Sequence, residues 1–134
     1  MRHLEDQHQA ALFKWAFCIP LTGKYVKPKS RLSDYLIAIP NGGKRNLREA
    51  RRLKGMGVRA GVSDIFLPIP NDTYPGMWIE LKKPRAAFKT PNAAAKAVTD
   101  LQMDWLERMG IAGYANRVCY GWMEARDEIV RYLT

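Results

Sequence analysis

The chain has 134 residues, 47% apolar and 26% charged, which fits one core and a single domain over residues 1–134 and excludes a disordered tail. Its 22 Lys and Arg against 13 Asp and Glu leave a formal charge of +9, a balance suited to a polyanion such as nucleic acid or an anionic membrane surface. No stretch approaches the roughly 20 apolar residues of a membrane helix, and the opening MRHLEDQHQ lacks an apolar signal region, so a cytosolic protein with no membrane partner is expected.

Residues 4–17 read as an amphipathic helix, with Leu4, Ala11, Leu12, Trp15 and Ala16 at helical spacing. Residues 18–34 carry Pro20, Gly23, Pro28 and Ser30 among Lys24, Lys27, Lys29 and Arg31, a basic loop or poorly ordered excursion. YLIAIP (35–40) reads as a buried strand, NGG (41–43) as a turn, and 46–56 as a basic helix capped by Asn46 and stopped by Gly57. The runs VSDIFLPI (62–69) and GMWIELKK (76–83) flank a turn-rich PNDTYPG and predict a hairpin.

A polar connection (84–93) then leads to one long helix over about 94–109, with Ala97, Leu101, Trp105 and Met109 on one face and Gly110 as its stop. Residues 113–121 read as a last strand and 123–133 as a closing helix that packs Ile129, Val130 and Leu133. This order predicts an α/β domain with a central mixed sheet flanked by helices. Cys18 and Cys119 have no CxxC spacing and are expected as two buried thiols. The histidines His3 and His8 are expected on a flexible, solvent-exposed N-terminus, and the four tryptophans in the core or at an interface.

Three charged residues interrupt the apolar hairpin. Glu80 and Lys82 are two apart on one strand and share a face. Antiparallel pairing brings Asp64 opposite residues 80–84, so the three cluster at one end of the sheet. Two carboxylates and a lysine among Val, Ile and Leu are costly unless paired, and a hard divalent cation pairs them well. The competing reading is an Asp–Lys salt bridge on a solvent-facing side of the strand.

The spacing Asp64, fifteen residues, Glu80-Leu-Lys82 resembles the D…ExK core of the PD-(D/E)XK nucleases. The wider pattern is similar to a stand-alone, phage-type VRR-NUC domain. It comprises IPNGGKR (39–45), LKGMGVRAGVSD (53–64), WIELKK (78–83), Gln102 with Trp105, Gly113-Tyr114 and YGWMEA (120–125), in that order. The resemblance implies a restriction-endonuclease-like fold and a Mg²⁺- or Mn²⁺-dependent endonuclease. Asp64 and Glu80 would be metal ligands, Lys82 the catalytic lysine, Glu5 a further carboxylate near the metal and Gln102 the family's glutamine. Asp6 rivals Glu5, and Gln102 also reads as an ordinary exposed helix residue. The resemblance further implies branched DNA such as a four-way junction, a homodimer, and a cytoplasmic location, that of the host cell where a phage encodes the chain. The family usually has Pro where this chain has Ser63.

Residues 44–59 hold Lys44, Arg45, Arg48, Arg51, Arg52, Lys54 and Arg59 against one acid, Glu49. Arg45, Arg48 and Arg52 share a helix face and can track a phosphate backbone without reading bases. Lys83 joins them at the end of the second hairpin strand, and the basic 24–31 and 83–89 segments are expected to flank the same cleft. A solvated helix face is the plainer reading. A catalytically silent DNA-binding module and an RNA-directed nuclease are the rival functions.

Overall fold

The computed structural model describes residues 2–40 and 46–134. Its elements are α1 (Arg2–Phe17), β1 (Ile37–Ala38), α2 (Leu47–Gly55), β2 (Ile65–Leu67), β3 (Met77–Lys82), α3 (Pro91–Lys96), α4 (Asp100–Ile111), β4 (Ala115–Tyr120) and α5 (Trp122–Leu133). The four strands form one mixed sheet in the order β1-β2-β3-β4. The first two pairings are antiparallel and β3–β4 is parallel. The expected α/β fold with a mixed sheet and flanking helices is therefore present.

Strand alternation divides the chemistry between the two sheet faces. Ile65 pairs with Ile79 and Leu67 with Met77. These four and Leu81 join Leu12 and Ala16 of α1 and Ala125 and Ile129 of α5 in the main core. The other face carries Phe66, stacked at 4.3 Å on Trp78, and Trp78 meets Trp105 of α4 edge-on at 5.3 Å. Glu80 and Lys82 belong to that second face by the same alternation.

The hairpin loop is closed by Asn71, whose Oδ1 accepts the Thr73 and Tyr74 N–H groups. Its Nδ2 donates to the Tyr132 carbonyl, and the Tyr132 hydroxyl donates to Ile69 O, so α5 clamps this end of the sheet. At the other end of α5, Gly121 (φ +89°) has no side chain to cap the helix. His8 Nδ1 accepts the Trp122 N–H at 3.0 Å instead, so α1 supplies the missing cap. His8 is thus half-buried and tied down, not part of a loose N-terminus, whereas His3 is exposed.

Several local expectations change. The 35–40 run yields only a two-residue edge strand, and Ile37 is 45% exposed; Leu36 is the residue it buries. The 18–34 segment is ordered: Leu21 N–H bonds Ser30 O, Leu32 N–H bonds Ile19 O, and Leu32 enters the core. The long helix is two helices, because the Thr99 side chain accepts the Gln102 N–H and starts α4 afresh. Leu101 consequently faces solvent while Leu106 is buried, and α4 runs through Gly110 to Ile111. Cys18 is exposed and Cys119 buried, both as free thiols. Val130 lies on the exposed side of α5. Among the described residues, no helix is long and apolar enough to cross a membrane.

Candidate active site

The β2–β3 register extends one step beyond Ile65 and Ile79 to set Asp64 against Glu80. The chain holds this end of β2 in place, since Ile39 N–H donates to Asp64 O at 2.7 Å. The Asp64 side chain is fixed as well: its Oδ2 accepts the Leu81 N–H at 2.8 Å.

Glu80 is 1% exposed and Lys82 7%, so both ionisable groups sit inside the protein. Their Oε2 and Nζ are 3.7 Å apart, too far for a good hydrogen bond. Gln102 bridges them. Its Nε2 donates to Glu80 Oε2 at 3.0 Å, and its Oε1 accepts from Lys82 Nζ at 3.0 Å. That Oε1 also accepts the Thr99 N–H at 2.9 Å, in a capping box with the Thr99 side chain. The cap of α4 therefore fixes which end of the amide faces the lysine. The TDLQ string at 99–102 is the sequence signal for this, a Thr followed three residues on by Gln, which the long-helix reading overlooks.

The remaining Glu80 oxygen, Oε1, is buried without a hydrogen-bond partner. Burial pushes the Glu80 carboxyl up to about 9, and the neighbouring Asp64 adds to the rise; Lys82 opposes it without prevailing. Glu5 of α1 adds to that rise and is itself raised, chiefly by burial and then by Asp64, against the pull of Lys82 and Lys83. The structure thus brings Asp64, Glu80, Lys82, Gln102 and Glu5 to one end of the sheet. Asp6 is exposed and does not enter the field at Glu80. Among the described residues, no three His, Cys, Asp or Glu side chains are closed up into a ready cation cage. The facing carboxylates Asp64 and Glu80 offer hard oxygen donors of the kind that Mg²⁺ and Mn²⁺ prefer.

A match to the VRR-NUC domain profile covers residues 5–123. The chain belongs to the VRR-NUC domain family. All five clustered residues fall inside the matched span, and Glu5 opens it. A solved structure described as a VRR_NUC domain protein is 26% identical, with a TM-score of 0.75 over 96% of this chain and 87% of that one. No curated protein matches the sequence. A VRR-NUC domain is a nuclease-type domain.

The basic residues are less concentrated around this VRR-NUC site than their sequence positions imply. Arg48 and Arg52 are exposed on α2, and Arg52 forms an ion pair with Glu49 at 2.7 Å. Lys83 is half-buried beside the site, with Nζ 4.6 Å from the centre of the Phe88 ring. Lys44 and Arg45, with Gly42 and Gly43, lie outside the described residues. The 24–31 cluster does not flank the cleft. Arg31 stacks on Phe17 at the far end of α1, which is twelve residues and about 18 Å of helix from Glu5.

Proposed function

We propose that this single VRR-NUC domain, residues 1–134, is a Mg²⁺- or Mn²⁺-dependent DNA endonuclease, selective for branched DNA and acting as a homodimer. One observation carries the reading: the buried Glu80, its Oε1 lacking a partner, faces the half-buried Asp64 beside a lysine held by Gln102. A buried carboxylate oxygen with nothing to bond is costly, and a divalent cation is the natural complement for such a pair. Asp64 and Glu80 would hold it, and Glu5, whose charge is felt at Glu80, would add to the negative field there.

A bound divalent cation would polarise the scissile phosphate and lower the pKa of a water beside it. The protein's own groups supply the rest. The Leu81 N–H keeps Asp64 aimed at the site, and Gln102 holds Lys82 forward. The lysine ammonium then stands where negative charge grows on the phosphoryl oxygens. Water attacks phosphorus in line, the P–O3′ bond breaks, the 3′ oxygen takes up a proton, and the new end keeps a 5′-phosphate. Arg48, Arg52, Lys83, Lys44 and Arg45 would hold neighbouring phosphates and so fix position without reading sequence.

Labelled linear duplex, single strand, flap and four-way-junction DNA, each incubated with Mg²⁺, Mn²⁺ or EDTA, tests this reading. Cleavage that needs metal, favours the branched substrates and disappears in Glu80→Gln is expected. Binding without cutting in either metal would reduce the domain to a silent DNA binder. Cutting of RNA alone would replace the substrate.

A further inference from the structure

Next to the active site lies a groove that the chemistry above leaves unused. Ala50 and Leu53 of α2, Val58 after it and Leu101 at the start of α4 line a cavity of about 530 Å³. This is within the roughly 300–1,000 Å³ of pockets that enclose small ligands. Among the described residues, Lys54 and Arg59 are its charged lining residues, and no acidic side chain lines it. Leu101 is 58% exposed and Val58 37%, so apolar surface faces water amid a strongly basic segment.

Two links tie the groove to the catalytic residues. Leu101 immediately precedes Gln102, which bonds both Glu80 and Lys82. Gly61, at φ +87°, lies against the Leu101 backbone so closely that a Cβ there would fall 2.6 Å from Leu101 O. The chain reaches Asp64 three residues later. An apolar wall, a basic rim and a phosphate-cutting centre next door together match one ligand, a nucleotide with its base out of the stack.

We propose that this groove receives an unstacked nucleotide of the DNA substrate, adjacent to the phosphate that is cut; the proposal rests on the nuclease reading. The base packs against Ala50, Leu53, Val58 and Leu101, and its flanking phosphates meet Lys54 and Arg59. Extruding a base from intact duplex is costly, and least so where it is already unpaired. The groove is therefore a physical source of preference for junctions, flaps and bulges over continuous duplex.

The test uses the intact chain, with Mg²⁺ or Mn²⁺, on duplexes carrying one unpaired adenosine or an abasic residue at the same place. The wild type should cut beside the base about tenfold more efficiently than beside the abasic site, the low end of what filling an apolar pocket gains. The double variant Val58→Ser with Leu101→Ser should bring that ratio towards one. Both side chains are exposed, so the fold should persist, and a thermal melt checks it. A second readout needs no cleavage: 2-aminopurine at the unpaired position should change fluorescence on binding to wild type and not to the variant. Equal cutting of the two substrates by wild type, or a ratio or fluorescence change that survives in the variant, overturns the proposal. So does a variant whose sole change is loss of self-association, which would make the groove a contact between copies. Complete absence of cleavage on every substrate would sink the nuclease reading by itself, while the fluorescence still decides the groove.

Discussion

The two faces of the sheet are built from alternate residues of the same strands, yet they follow different rules. On one, Ile65, Leu67, Met77, Ile79 and Leu81 disappear beneath α1 and α5 into an apolar core. On the other, Glu80 and Lys82 are almost as deeply buried, and α4 leaves the aromatic groups half-covered. Three of the buried side-chain polar atoms without a hydrogen bond, on Trp78, Glu80 and Trp105, belong to that second face. The first face is where burial stabilises the fold. The second carries groups that the fold tolerates because the first has stability to spare.

The largest effect should come from separating these roles at Glu80. Glu80→Gln keeps the shape and can still accept from Gln102, but can no longer ionise to hold a cation. Cleavage should fall by about 100-fold or more, the scale of losing a group that stabilises transition-state charge, while the melting temperature holds or rises. The pH dependence sharpens the point. The folded carboxyl titrates at about 9 against 4.5 for an ordinary glutamate. The folded value lies above the unfolded one, so the group's contribution to stability is complete below 4.5 and lost as pH rises through about 9. Metal-free wild type should therefore lose more stability between mildly acid and mildly alkaline pH than Glu80→Gln does. Melts in EDTA across that window check it. An equal loss in both proteins would mean that Glu80 is not the strained group.

On the apolar face the outcomes should reverse. Ile79→Ala leaves a cavity beneath α1 and α5 and should cost about 2–5 kcal/mol, visible as a drop in melting temperature. At temperatures where the variant is folded, its cleavage should stay near wild type. A variant that loses activity while staying stable would break the division between the faces.

This division was partly legible in the sequence. Period-two alternation around Asp64, Glu80 and Lys82 sufficed to place all three together, because one strand parity fixes a whole face. The two-residue β1 was not legible: the apolar run 35–40 resembles a buried strand, but its position at the sheet edge leaves Ile37 in water, and edge position is a tertiary fact. The break before α4 was legible in principle. Helical periodicity continues across residues 97–101, so the hydrophobic pattern outweighed the cap written in Thr99 and Gln102. The ordered 18–34 loop was not readable, since Leu32 reaches the core only after α1 has been placed.

Thr99 tests whether the α4 cap matters for chemistry or merely starts a helix. Thr99→Val removes the hydroxyl that accepts the Gln102 N–H while keeping the side-chain volume. Loss of a cap costs about 1 kcal/mol, and Thr99→Ser should restore it. If the cap also aligns Gln102 between Glu80 and Lys82, kcat should fall by about tenfold with little change in KM, as for an interaction expressed in the transition state. A lower melting temperature with kcat unchanged would confine Thr99 to helix initiation.

The smallest effect lies at the apparent exception to the division. Ser63 is fully buried, and its hydroxyl has no hydrogen-bond partner, although alternation from Ile65 puts it on the apolar side. Removing an unsatisfied buried hydroxyl relieves desolvation, and the oxygen-sized gap it leaves returns part of that gain. Ser63→Ala should therefore leave stability within about 1 kcal/mol of wild type, on the favourable side, and leave cleavage unchanged. A clear destabilisation in the melt would mean that the hydroxyl is bonded in solution and that the polar chemistry extends through the strand to both faces.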